Sequence, residues 1–510
     1  MHYKKNTLSL LFVFFLLIFT RPVLSQTFKD DSLAVRAILD SNGLDTIPVD
    51  ERVIDTSGGR VVDIRFDGRK LHTLPPEIGK LTALTAVHIS GNNLTSLPPE
   101  IGNLTQITKV IIAHNNILKL PSEIGNLKNV NFLNFSANKL TTLPPEIGEL
   151  TSLEELDVKD NEITSLPAEI GMLNNLKCLY LYGNNLKTLP PEIGELTNLG
   201  GLVLHYNQIT TLPAEIGNLS FLFSLDLFAN NLTSLPPEIG NLTNLQQIRL
   251  DGNNLTSLPS EIGNLKNVYI LEARGNNLTT LPPEIGDLSG LKQLYLHNNN
   301  IKNIPPETGN LPRLEDLRLT GNALTDLPPE IGNLKSLHDL YLNENNLTTV
   351  PSEIGNLSNL TLFSIRKNLL THLPNSIVNL NLNYCDLAYN KLDTNNLSDA
   401  VIAWADIYDP DWRETQNVTT VTAKTISAPP LKPCITLQKS FLFFSLPHEG
   451  HITLKVYDMN GQLLSTLVDS YKSGGEHILR FTPQRYRSGI YVIRLSTCSG
   501  TVNQKGIVIK

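Results

Sequence analysis

A single period of 23 residues runs through most of this chain and decides what it can fold into. NNLTSLPPEIGNLT stands at 92–105 and again, letter for letter, at 230–243, which is 138 residues or six periods later. Aligned at this spacing, fourteen units follow without an insertion from Gly58 to Asn379, and a fifteenth, one residue short, covers NLNLNYCDLAYNKLD. A fixed period of this size means stacked supersecondary units that bury a continuous core only together. Division of 510 residues by an ordinary domain size therefore does not apply, because a solenoid grows along one axis.

Each position in the unit has a physical reading. Apolar residues recur at unit positions 1, 4, 7, 9, 14, 17 and 21; in the unit from 173 these are Leu173, Leu176, Leu179, Leu181, Leu186, Leu189 and Ile193. The L-x-x-L-x-L stretch alternates with period two where it ends, as a strand does, and one strand per unit stacks in parallel on the next. Position 12 is Asn in thirteen full units, among them Asn92, Asn184, Asn253 and Asn368. A buried amide is tolerated only when its donors and acceptor are all used, so these side chains are expected to bridge the backbones of adjacent coils. LPPEIG then turns the chain over the outer side, with Pro fixing φ and Gly at position 22 read as supplying a tight return.

These repeats resemble the leucine-rich repeat family, of the LPPEIG-rich, Ras-suppressor-like kind, over residues 58 to 393. The resemblance implies an α/β horseshoe solenoid with parallel strands on its concave face. A solenoid closes its ends with atypical units. SLAVRAILDSNGLD (32–45) has helical spacing and falls in an N-terminal cap, 26–57. LSDAVIAWADIYDPDW (397–412) reads as a helix within a C-terminal cap, 394–412, with Trp404 and Trp412 available to cover the last coil. Asp406, Asp409 and Asp411 do not have the spacing of a calcium loop.

The ends of the chain carry different signals. Lys4 and Lys5 precede the apolar stretch Leu10–Phe19, and Val23 and Ser25 are small residues before Gln26, the pattern of a secretory signal peptide over 1–25. The apolar stretch is shorter than the roughly 20 residues a membrane span needs, and no Cys follows it to carry a lipid. Residues 413–433 are Thr- and Pro-rich and read as a linker. From Cys434 to the end, HITLKVYDMNGQLLSTLVD, EHILRFTP, SGIYVIRLS and KGIVIK read as short strands of a small immunoglobulin-like β-sandwich, with Met459-Asn460-Gly461 as a hairpin-type turn. The order of VYDMNGQLL, SGGEHILRF, SGIYVIRL and KGIVIK resembles the C-terminal sorting domain of type IX secretion cargo. That implies a bacterial protein that engages the type IX machinery during export and is released or attached at the cell surface. Of the four Cys, at 178, 385, 434 and 498, the last two are a candidate pair.

A search for chemistry yields nothing constructive. His448-Glu449-Gly450-His451 spaces its histidines at i+3 rather than the i+4 of a helical zinc site, and Pro447 and Gly450 make it a turn. There is no phosphate loop, nucleophile elbow or CxxC pair. The Glu of LPPEIG (Glu100, Glu146, Glu192, Glu238) forms a column dictated by the repeat. No catalytic residue, metal or cofactor is called for, and the expectation is a non-enzyme. A net charge of −8 with 18% charged residues argues against nucleic acid as partner.

Function is expected where the repeat leaves residues free, at positions 5, 6, 8, 10 and 11 of the strand face. Fifteen strands at about 4.8 Å spacing make a face on the order of 70 Å long. Aromatics gather in its middle, at Tyr180, Tyr182, His205, Tyr206, Phe223 and Phe228. A second group is Tyr269, Tyr295, His297 and Tyr341, beside Arg249, Arg274 and Arg318. Tyr and Arg are enriched at binding hot spots, so these residues are the expected contact set for a protein ligand. Recognition of a glycan, or a spacer role, are the alternatives. Exposed aromatics also suit packing between strands. Cys178 is expected on this face and Cys385 in the core.

Overall fold

The computed structural model describes residues 27–416 and, beyond them, the segments 434–438, 441–446, 450–457, 462–472, 475–480, 489–497 and 500–508. The signal peptide at 1–25, most of the linker at 413–433, the turn at Met459-Asn460-Gly461, His448 and Glu449, and the pairing of Cys498 with Cys434 lie outside the described residues. The chain divides into two units at Val418/Thr419.

The first unit carries a sixteen-stranded sheet whose strands neighbour one another in chain order. After helix α1 (Phe28–Asp40), strands β1 (Val53–Ser57) and β2 (Arg60–Arg65) form an antiparallel hairpin. Its loop is Gly58-Gly59, with φ of 59° and 71°, the left-handed pair that a two-residue hairpin loop requires. From β2 onward the pairing is parallel, one three-residue strand per coil, through β3 (Ala86–His88) to β16 (Tyr384–Asp386). Full coils pair in exact register with the period, as in Ile248 with Leu271 and Leu294 with Leu317. Five-residue 3-10 turns such as Pro191–Glu195 cross the other side of each coil. The apolar positions form one unbroken core in which Leu173, Leu176, Leu179, Leu181, Leu186 and Ile193 are fully buried.

The position-12 asparagines do what buried amides must. Asn253 Nδ2 donates to the carbonyl of Leu250 in its own coil and of Leu227 in the coil before, at 2.9 Å each. Its Oδ1 accepts from Leu232 N at 3.0 Å. The same bonds recur at Asn92, Asn184 and Asn368. Each amide thus satisfies backbone groups that a curved coil leaves without a partner.

Glycine at position 22 has a different cause from the tight return expected of it. Its φ is not positive; instead, the next coil stands where a Cβ belongs. A methyl on Gly240 would lie 2.4 Å from the carbonyl oxygen of Glu261, and one on Gly217 2.5 Å from that of Glu238. In the coil that ends the LPPEIG series the position is Val378, which is exposed: no further LPPEIG turn stacks on it.

Both ends are closed. Thr27 and Asp30 make a capping box at the start of α1, and buried Asp31 receives Arg60 at 2.9 Å and Val61 N at 2.8 Å, fixing the helix to β2. At the far end, Trp404 on helix α2 (Asp399–Tyr408) donates its indole N–H to Leu380 O, and Asp409 accepts from Leu387 N. Gln416 continues the asparagine ladder from outside the repeat: Nε2 donates to Leu387 O and Oε1 accepts from Leu392 N, both at 3.1 Å.

The second unit is a pair of antiparallel sheets. Three strands (Cys434–Gln438, Phe441–Leu446, Gly475–Arg480) form one and four (Leu463–Lys472, Gly450–Tyr457, Gly489–Thr497, Gly500–Val508) the other. Phe444 and Leu446 from the first share a core with Ile452, Leu454, Val456, Ile493 and Leu495 from the second, as in a small immunoglobulin-like sandwich. His451 lies in a strand and is exposed, not on a helix.

Candidate functional site

The strands of the solenoid bury position 7 and turn positions 6 and 8 to the open face of the sheet, as in half-buried Cys178 and Tyr180 around buried Leu179. Position 10 follows on the same face. Position 11 then takes a left-handed φ in every coil; it is Gly68, Gly91, Gly183, Gly252, Gly275 and Gly321 in six of them. Elsewhere a side chain is held there, and Tyr206 sits at φ 55°. A bulky residue in that region costs on the order of 1 kcal/mol.

The central aromatic residues come together along the position-10 column. Tyr182 and His205 stack with ring centroids 4.3 Å apart and planes at 14°. Tyr206 meets His205 edge-on at 5.4 Å and Phe228 at 5.1 Å. Lys159 Nζ lies 5.4 Å from the centroid of the Tyr182 ring. His205 Nδ1 is 3.1 Å from Asp226 Oδ2, which also receives Arg249 at 2.9 Å. Burial pushes the Asp226 carboxyl up, but the His205 bond and the Arg249 charge outweigh it and hold it below the usual range. Tyr206 keeps 39% of its surface exposed. Tyr180 stands apart from the stack beside Cys178, where burial raises its phenol to about 12. Phe223 is also separate, at position 5, with its ring over Gly200 and 49% exposed.

The Arg/Tyr group is built differently: its members satisfy one another. Arg249 bridges Asp226 and Glu272, and Arg274 bridges Asp251 and Glu272, at 2.9–3.2 Å. Burial opposes the Glu272 charge, but Arg274 and Arg249 hold its carboxyl below the usual range, while burial drives Asp251 well above it. Arg318 lies between the rings of Tyr295 and Tyr341, 4.7 and 4.9 Å from their centroids, and donates to Asp316 at 2.9 Å. Tyr295 is buried, its hydroxyl bonded to Asp316. His297 has a buried Nδ1 with no partner; burial, then Arg274 and Arg318, lower it to about 3, so it is neutral. Tyr341 and His297 remain half-buried.

The acidic partners (Asp226, Asp251, Glu272, Asp316) and Lys159 escaped the sequence reading, although the signal was present. Asp226, Arg249 and Glu272 are spaced by 23, as are Asp251 and Arg274, so alternating charge down a column marked the pairs. Among the described residues no group of three or more His, Cys, Asp or Glu is arranged to hold a metal ion. No helix there is long and apolar enough to cross a membrane.

Comparison with known proteins agrees with this architecture. The family description "Leucine-rich repeat region" matches residues 122–207, 192–274 and 239–322, and "Leucine Rich Repeat" matches 83–104 and 336–357. A leucine-rich repeat protein of Leptospira interrogans is 37% identical, with a TM-score of 0.53, covering 68% of this chain and 93% of its own. The chain belongs to the leucine-rich repeat family. The PEPR1–AtPEP1 structure is 27% identical with a TM-score of 0.56, covering 71% of this chain and 59% of that one. TLR13 in complex with ssRNA13 is 25% identical with a TM-score of 0.58, covering 69% and 53%. This chain thus spans little more than half the length of those two chains. A search of curated proteins found no match.

Proposed function

We propose that this chain is a secreted or cell-surface binding protein that takes a protein or peptide ligand on its sheet face, centred on Tyr180, Tyr182, His205, Tyr206 and Phe228. The observation that carries the reading is Tyr206: a large aromatic side chain kept exposed, in a strained backbone position, inside a braced aromatic cluster. The left-handed φ is shared by position 11 of every coil; the bulky aromatic kept there is what the position does not require, and Tyr in such settings anchors protein interfaces. The repeat fold shared with the PEPR1–AtPEP1 structure supports a binding role. A sugar reader needs a free ring face, and Tyr182 has His205 stacked on its ring with Lys159 close beside it, which favours protein over glycan. The net charge of −8 speaks against an RNA ligand such as that of TLR13. The signal-peptide pattern at 1–25 and the type IX sorting resemblance of 434–510 support export followed by release or surface attachment.

The test is selection of nine-residue linear peptides from a random display library on the full chain, repeated with Tyr182→Ala/Phe228→Ala. Peptides that bind the wild type and lose at least tenfold in affinity on the variant are the expected result. Peptides bound equally by both would overturn the assignment.

A further inference from the structure

One glycine of the solenoid has no conformational or steric reason to be there. Every other solenoid glycine either takes a positive φ or would drive a Cβ into a neighbour closer than 3.0 Å. Gly200, for example, lies under the Phe223 ring, 2.6 Å from where its Cβ would be. Gly201 has neither feature: a Cβ there meets nothing nearer than Cys178 Sγ at 3.9 Å. It opens the strand Gly201–Val203 in regular register with Cys178 and Ser224, so no bulge explains it. Position 6 carries a side chain in every other coil, including Phe132, Ile270 and Tyr384. Glycine in a strand interior weakens the strand and, without a bulge or bend, marks close approach by another molecule.

The surroundings say what approaches. Gly201 and Val203 are half-buried between the coil bearing Cys178 and Tyr180 and the coil bearing Phe223 and Ser224, while Gly200 is buried beneath the Phe223 ring. The flanking strands lie about 10 Å apart, the width of one extended chain. Phe223, whose ring lies over Gly200, is 49% exposed. Along the same row, in register through Cys178, stands Glu155. It is half-buried and, among the described residues, has no hydrogen-bonding or ion-pair partner, with Asp157 beside it. Burial, then Asp157, raises its carboxyl above the ordinary range against the opposing charges of Lys109 and Lys159, neither of which pairs with it.

Resting on the reading that this face binds a peptide-like ligand, we infer that the Gly201 notch receives an apolar side chain of an extended partner segment while Glu155 receives a Lys or Arg of the same segment. Two strand spacings separate the subsites, about 10 Å, which an extended chain covers in about three residues. The ligand class is a segment with a large apolar residue and a basic residue three positions apart, lying across the strands.

The peptide selection on the full chain tests this with two more variants. Gly201→Val fills the notch in a position that accepts Ile elsewhere, so it should melt no lower than wild type. Enriched peptides should show the apolar–basic spacing and lose at least tenfold in affinity on Gly201→Val. Glu155→Gln should weaken them about fivefold and leave versions with the basic residue changed to Gln unaffected. Peptides lost on Tyr182→Ala/Phe228→Ala but retained on Gly201→Val overturn the notch and leave the sheet-face reading standing. Peptides without the spacing overturn it likewise, and peptides retained by every variant overturn both.

Discussion

The two groups of residues on the sheet face share a scaffold and a composition, yet they are spent differently. In the aromatic group, Asp226 and Lys159 brace the rings from behind while Tyr206 stays exposed in a strained conformation. In the Arg/Tyr group the guanidinium groups face inward onto their own carboxylates, and Arg318 is clamped between two tyrosine rings. Tyr and Arg in a column therefore indicate either a ligand surface or a self-satisfied brace. Whether neighbouring coils offer opposite charge separates the cases.

Mutations should divide along that line. Both groups rest on one core whose contacts are between nearest neighbours. Leu227→Ala, beneath the aromatic group, should cost ~2–5 kcal/mol and open the adjoining coils first in hydrogen exchange; uniform loss of protection along the solenoid would contradict a locally held core. Arg318→Ala should cost about 3 kcal/mol in denaturant unfolding because it strands Asp316 with only the Tyr295 hydroxyl. If it instead leaves stability intact and abolishes ligand binding, the division between brace and site fails. His297 offers a pH test. Its folded value near 3 lies below the ordinary 6.5, so the unfolded chain takes up the proton first and stability is lost as pH falls from about 6.5 toward 3. Between pH 7.5 and 5, wild type should lose about 2 kcal/mol relative to His297→Gln. Asp339, raised to about 6 by burial and then Asp316, shifts the opposite way in both chains and cancels in the difference; a constant gap between the melting curves would refute the lowered titration of His297. The smallest effect has the opposite sign: Tyr206→Gly should stabilise by up to about 1 kcal/mol while weakening binding. A loss of stability would mean that Tyr206 is packing rather than site.

Much of this fold is legible from the period. The buried columns, the asparagine ladder and Trp404 over the last coil follow from which positions repeat and which residues must be satisfied or covered. What could not be read depends on distance across coils. Gly at position 22 gave the right residue with the wrong reason, since only the stacked structure puts Glu261 O against Gly240. Position 11 hid its left-handed backbone because Tyr206, Ala229 and Glu344 mask the glycines of Gly91 and Gly252. Gln416 closes the ladder from beyond the repeat, where the period has ended and no register predicts it. For the site, the residues at Tyr182, His205, Tyr206 and Phe228 were visible as a cluster. Their bracing by Asp226 was visible only as a spacing of 23, and the gap at Gly201 only once a Cβ could be placed there.

The most direct measurement is hydrogen exchange of the full chain with and without a saturating peptide selected on it. Protection gained in the strands Cys178–Tyr180, Gly201–Val203 and Ser224–Asp226 and in the segments that follow them, with Asp316–Arg318 unchanged, is the result predicted here. Protection confined to the 3-10 turns of the opposite side, or to the Arg318 coils, would contradict the central claim that the aromatic group is the site and the Arg/Tyr group its brace.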